Sequence, residues 1–259
     1  MIFENKYAVA TVAADNIATL MICNAGSMNI LGTPVIDALL EALEWIAETS
    51  AARVLIVRGE GEKAFIGGAD IKEMAKLNQQ TAMVFIDKLR QLCEAVRQLT
   101  IPVIARLPGW TLGGGLEFAL CCDIKIASKA ARLGMPEVLV GIPSVIHASL
   151  MPRLIGKSRT AWLLLTGEVI DAEQGLAWGM LDKVVEATDL DQEVARVANG
   201  LVALGPQVLA QQKRLLREWE DEPLETSIFN SITEFGSAFN TGEPQQYMGK
   251  FLEHKTKRT

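Results

Sequence analysis

PGWTLGGGLEFALCCDIKIA, residues 108–127, decides the fold, because it packs a glycine turn, a short apolar helix start and a strand into twenty positions. Gly113, Gly114 and Gly115 break any regular element, and without Cβ atoms they let the backbone approach a ligand closely. The run that follows, Leu116, Phe118, Ala119 and Leu120, can open a helix whose first N–H groups point out of the turn at an anion or a polarised carbonyl. Taken alone, such a turn is more simply a tight turn with no ligand. Asp123 to Ala127 then reads as a strand, and Val103 to Arg106, before the turn, as another.

The same alternation continues outward. Residues 7–13 and 17–23 form two β-type runs around Asp15-Asn16, which reads as a hairpin. Thr33-Pro34 opens a helix, threonine as cap and proline in the first turn, with Val35, Ile36, Leu39, Leu40, Leu43 and Ile46 at helical spacing through Glu48. Arg53 to Arg58 is a short strand, and Gly59 to Ala69 a loop whose four glycines exclude a regular element. Thr81 to Leu99 carries a second helical stripe, Met83, Ile86, Leu89, Leu92, Cys93 and Val96. Strands alternating with helices predict an α/β core. From Leu190 onward the pattern predicts helices only, near 190–204, 206–219, 223–239 and 243–253. The division expected is therefore a core over 1–200 and a C-terminal helical region over 201–259.

Composition excludes several functions. Of 259 residues, 49% are hydrophobic and 22% charged, which suits a chain with one large core. No apolar run approaches the ~20 residues that cross a bilayer, and Met1 to Tyr7 lacks a signal-peptide pattern, so a cytoplasmic protein with no membrane partner is expected. A net charge of -6 disfavours nucleic acid as a partner. Cys23, Cys93, Cys121 and Cys122 have spacings that suit neither a disulfide framework nor zinc, so buried reduced thiols and no metal are expected. Gly156-Lys157-Ser158 lacks the earlier glycine of a phosphate loop, the position being Met151, and no dinucleotide fingerprint is present.

Two carboxylates stand beside these turns. Glu117 lies two residues past the triple glycine, and Glu137 lies in Gly134-Met135-Pro136-Glu137-Val138. Either alone is more simply structural; as a pair in an apolar site, they could be tuned apart so that one gives and one takes a proton. Together GEKAFIGGADIKEM (61–74), PGWTLGGGLEFALCCDIKIA (108–127) and GMPEVLVGIP (134–143) resemble, in order, the signature segments of the crotonase superfamily of enoyl-CoA hydratases and isomerases.

That resemblance implies a spiral of ββα units followed by a helical trimerisation region, assembled as a homo-trimer or dimer of trimers. It implies an acyl-CoA thioester as substrate, with coenzyme A part of the substrate and no separate cofactor. By the same likeness the oxyanion hole maps to the N–H groups of Ala69 and Gly114, and the acid–base pair of hydratases to Glu117 and Glu137. CoA contacts map to Met28, Asn29, Ile66, Gly68, Asp70 and Ile71, with Lys72 outside the firm set. The activity implied is reversible addition of water to a trans-2-enoyl-CoA. The alternatives are an enoyl-CoA isomerase, which commonly needs one carboxylate, other acyl-CoA chemistry on this fold, or a non-catalytic binding protein.

The chain departs from the family pattern in places. Pro143 to Met151, PSVIHASLM, replaces a glycine-rich segment near the acyl group, so a reshaped and narrowed pocket is expected. His147 could titrate near neutrality, but on so apolar a segment a hydrogen-bonded structural role is the simpler expectation. Pro108 stands where asparagine is common, the 24–29 loop is short, and His254 and Thr256 replace lysines in the basic segment Phe251 to Lys257.

Overall fold

The computed structural model describes residues 1–256, with side chains described through Glu253. Three strands, β1 (Ile2–Glu4), β2 (Ala8–Val12) and β3 (Ile17–Ile22), run antiparallel at one edge of a seven-stranded sheet. Their tight turn is where the hairpin was expected: Asn16 takes φ 66° and the Asp15 carboxylate accepts the Ile17 N–H at 3.1 Å. Helix α1 spans Thr33–Glu48, as its stripe predicts. The cap differs from expectation. Gly32 occupies it, and Thr33, already helical, gives both its N–H and its hydroxyl to Glu73. A carboxylate from elsewhere in the chain thus satisfies the helix start.

The middle of the chain repeats one unit in space. Strand β4 (Val54–Gly59) joins the large sheet, β5 (Ala64–Ile66) joins a second, four-stranded sheet, and helices α2 (Ile71–Met74) and α3 (Gln79–Gln98) follow. The pattern recurs as β6 (Val103–Leu107), β7 (Trp110–Leu112) and α4 (Gly114–Leu120), and again as β8 (Ile124–Ser128), β9 (Arg132–Gly134) and the 3₁₀ turn Pro136–Val140. The loop expected over Gly59 to Ala69 is therefore interrupted by β5. Its three residues are all buried, so no alternation betrays them, but the partner strand β7 satisfies their backbone groups. A second 3₁₀ turn, Ile146–Leu150, leads to α5 (Met151–Ile155), α6 (Lys157–Thr166), β10 (Val169–Asp171), α7 (Ala172–Trp178) and β11 (Lys183–Val185).

From β3 to β11 the large sheet is parallel, in the order β1-β2-β3-β4-β6-β8-β11, and it is covered on both faces. Leu55, Val57, Val103 and Ala105 point into the main core with α1 and α3, whereas Val54, Ile104 and Ile126 face α8 (Leu190–Val202) through Leu190, Val194 and Ala198. That alternation is the period of two of a strand. The remaining helices are α9 (Pro206–Glu218), α10 (Leu224–Ala238) and α11 (Glu243–Thr256), close to the expected spans and without a described strand after β11. Helix α9 is pinned to the core by Lys213, whose Nζ lies 2.7 Å from Asp123 Oδ2 and donates to the Ile101 carbonyl at 3.0 Å. Elsewhere the tail is open: Ile228, Phe229, Ile232 and Phe235 are each exposed by 61–73%. All four cysteines are buried free thiols, as expected, and no helix among the described residues is long and apolar enough to cross a membrane.

Candidate active site

Both glycine turns follow strands of the small sheet and end in helices, so the topology brings them to one side of a single cleft of about 340 Å³. In the first, Gly67 donates to the Met28 carbonyl at 2.7 Å, and a Cβ there would lie 2.9 Å from the Met28 side chain. Gly68 sits at φ +120°, a conformation side chains avoid. Leu31 and Ala69 form a parallel bridge built from the N–H groups of Leu31 and Asp70, which leaves the Ala69 N–H outside it. In the second turn Gly113, at φ 53°, donates to the Gly134 carbonyl, and α4 begins at Gly114. A first helical residue has no intrahelical acceptor for its N–H. Ala69 and Gly114 both line the cleft, so two uncommitted backbone donors belong to one cavity.

The two carboxylates line the same cleft. Glu117, one turn into α4, is 3% exposed and accepts the Ala148 N–H at 2.9 Å through Oε1. Burial pushes its carboxyl up to about 7, with the Ala148 hydrogen bond opposing and the Glu137 charge adding. Glu137, on the Pro136–Val140 turn, is also raised by burial, against the hydrogen bond it receives from the Ser144 hydroxyl at 2.9 Å. The rest of the lining is largely apolar, including Phe85, Leu89, Leu139, Ile142 and Val145. Two acids moved toward neutrality in such a cleft can exchange protons with a ligand, and two N–H groups can hold an oxygen that gains charge.

Of the residues picked out by sequence, Ala69, Gly114, Glu117, Glu137, Gly68 and Ile71 line this cleft, and Met28, Asn29, Ile66 and Asp70 stand behind it. Met28 packs against Gly67. Asn29 is fully buried, and its amide donates to the carbonyls of Glu60 and Ala64, bracing β5. Ile66 is core, and Asp70 caps α2 by accepting the N–H groups of Lys72 and Glu73. Lys72 is exposed. Sequence reading missed Ser144 and the Ala148 N–H; its only signal was that PSVIHASLM departs from the family pattern. That segment does place Pro143, Ser144 and Val145 along the cleft. His147 is buried outside the lining and its Nε2 pairs with Glu94 Oε1 at 2.8 Å, a hydrogen-bonded histidine as expected. Of the basic segment Phe251 to Lys257, Lys257 and the side chains of His254, Lys255 and Thr256 lie outside the described residues.

Comparison with known proteins identifies the family and the fold. Residues 13–258 match the family model described as enoyl-CoA hydratase/isomerase. A crotonyl-CoA hydratase of Syntrophomonas wolfei is 30% identical over 98% of this chain and 97% of its own length. A short-chain-enoyl-CoA hydratase of Clostridium acetobutylicum is 31% identical over 92% of each chain. Among solved structures, an enoyl-CoA hydratase from Bacillus anthracis superposes with a TM-score of 0.91 at 29% identity, covering 96% of this chain and 97% of the other.

Proposed function

The chain belongs to the enoyl-CoA hydratase/isomerase family, and from that membership we propose that it adds water across the double bond of a trans-2-enoyl-CoA, reversibly, to give a 3-hydroxyacyl-CoA. One observation carries the reading: both Glu117 and Glu137 face the cleft that also holds the free N–H groups of Ala69 and Gly114. The thioester oxygen accepts from those two donors as it gains enolate charge, a contribution of about 3–4 kcal/mol per donor in comparable sites. Ionised Glu117 takes a proton from water as its oxygen bonds to the β-carbon. Protonated Glu137 gives its proton to the α-carbon. The ester-side electron pair returns from the enolate, and solvent exchange resets the two carboxyls. Burial raises both carboxyls, and the Glu137 charge raises Glu117 further, so the cleft keeps a proton within reach; the step needs that proton on Glu137 with Glu117 ionised.

Binding of the CoA portion belongs, in this reading, to Gly68 and Ile71 at the cleft, with Met28, Asn29, Ile66 and Asp70 shaping the loops behind them. No cofactor enters the reaction beyond the CoA carried by the substrate. The helical region over 201–259 serves assembly: its open apolar faces suit a homo-trimer or dimer of trimers in the cytoplasm. Light scattering at micromolar concentration should give three or six chains, and a monomer would refute that part. The activity is tested by following loss of the conjugated thioester absorbance of crotonyl-CoA in water labelled with heavy oxygen. Incorporation of the label into 3-hydroxybutyryl-CoA supports hydration. Movement of a double bond without label replaces it with the single-carboxylate isomerase.

A further inference from the structure

We propose that Cys93, Cys121 and His147 form a binding site for a zinc-like divalent cation behind the carboxylates of the cleft. The three come from separate segments, helix α3, the C-terminal cap of α4 and the Ile146–Leu150 turn. Their ligand atoms, two Sγ and one ring nitrogen, all lie within 4.8 Å of one another, and all three residues are buried. Separations of 28 and 26 residues in sequence hid this set from any spacing rule.

One ring nitrogen of His147 is held and the other is open. Nε2 pairs with the Glu94 carboxylate at 2.8 Å, while buried Nδ1 has no hydrogen bond of normal geometry. With Nε2 held by the Glu94 carboxylate, buried Nδ1 is the ring nitrogen left for a cation, the carboxylate–histidine arrangement that orients metal ligands. Zinc bonds of about 2.3 Å to sulfur and about 2.0 Å to nitrogen place tetrahedral ligands roughly 3.5–3.8 Å apart, so shifts of about 1 Å would close the set. Two thiols would each lose a proton to solvent on binding, and a water would complete the four-coordinate shell. A soft set of this kind selects zinc over magnesium or calcium.

The site would also position Glu117. Cys121 closes the helix on which Glu117 sits, and His147 immediately precedes Ala148, whose N–H holds the Glu117 carboxylate. Ile146, next in line, is held at φ 38°, a costly conformation for a β-branched residue that its surroundings must enforce. A cation bridging the three segments would supply that constraint.

The test is a titration of the full chain with Co²⁺ under reducing, oxygen-free conditions and without substrate, so its outcome is separate from that of the hydratase reading. One equivalent should raise a sulfur-to-cobalt charge-transfer band in the near ultraviolet, and Zn²⁺ should abolish it. Cys121→Ser and Cys93→Ser should each weaken the band or remove it, and Glu94→Gln should keep it with about 10–100-fold lower affinity. If the serine variants do not fold, thiol labelling decides: zinc should shield two of the four cysteines as denaturant is raised. Absence of a sulfur band in the parent protein overturns the site and leaves a thiol–imidazole hydrogen-bond cluster. A band unchanged in both serine variants overturns it equally.

Discussion

The two sets of functional groups in the cleft, here the glycine side and the carboxylate side, are made differently. On the glycine side the groups that matter are backbone, Ala69 N–H and Gly114 N–H, and what positions them is the absence of side chains at Gly67, Gly68 and Gly113. In the second set the groups are side chains, both held by the segment after the Pro136–Val140 turn: Glu117 by Ala148, far away in sequence, and Glu137 by Ser144, seven residues on. The first set tolerates almost no added atom. At Gly113 a Cβ would come within 2.5 Å of Glu137 Oε1, and at Gly115 within 2.4 Å of the Ile66 carbonyl. The second tolerates change in shape but not loss of a proton carrier. Backbone chemistry is therefore guarded by glycine identity, and acid–base chemistry by hydrogen-bond partners.

The most severe break should come on the glycine side. A Cβ at Gly114 would lie 2.7 Å from Leu89 Cδ2, the movable end of a side chain, so Gly114→Val should fold yet project its branches into the oxyanion site. Turnover of crotonyl-CoA should fall by about 10³-fold or more, with unchanged circular dichroism. On the carboxylate side, Glu117→Gln and Glu137→Gln should each lower kcat by about 10²–10⁴-fold, and the double variant should be far from additive because both act on one water and one substrate. Near-parental hydration by Glu117→Gln would remove that residue from the chemistry. Ser144→Ala, which takes one neutral hydrogen bond from Glu137, should cost only about five- to tenfold, roughly 1 kcal/mol, read in kcat more than in KM.

Two pH measurements sharpen the contrast further. Because Glu117 must be ionised and its carboxyl sits at about 7, kcat/KM should decline as pH falls through about 7. Stability should move the other way. A carboxyl raised from 4.5 to about 7 holds its proton more tightly folded than unfolded, so it costs nothing below about pH 4.5 and progressively destabilises the fold up to about 7. Glu117→Gln should thus be more stable than the parent at pH 8, by up to about 3 kcal/mol, with the difference vanishing near pH 4. Equal denaturant midpoints at both pH values would show that Glu117 carries no such strain. No glycine-side variant should show this pH signature.

The same contrast explains what the sequence made legible. Glycine turns, and carboxylates beside apolar runs, are visible as letters, but alone they read as structural; it is the resemblance to the crotonase superfamily that singles out Ala69, Gly114, Glu117 and Glu137. Helices α1 and α3 could be picked out directly, because their buried stripes repeat over 16 and 20 residues. Strands β5, β7 and β9 could not, because three residues give no period and their flanking glycines argue against them. Nor does the chain show internal sequence repeats, although its ββα unit recurs in space: packing preserved the path and not the letters. The Glu73 cap on α1, the Ala148 partner of Glu117 and the Cys93–Cys121–His147 cluster depend on contacts between distant segments, which no local pattern records.

Lys213 has a consequence for how such chains can be recombined. Its ammonium, on α9, is buried against Asp123 at the foot of β8, and that carboxylate also receives the Val103 N–H at 2.7 Å. Core and tail therefore share one buried charge across the 200/201 division expected from sequence. Grafting the tail of a relative that lacks a lysine here onto this core would strand Asp123 beneath the foreign helix, at a cost of about 3–5 kcal/mol. The two positions should be inherited together or lost together, so a chimera boundary drawn between core and tail succeeds only when the incoming helix brings its own cation.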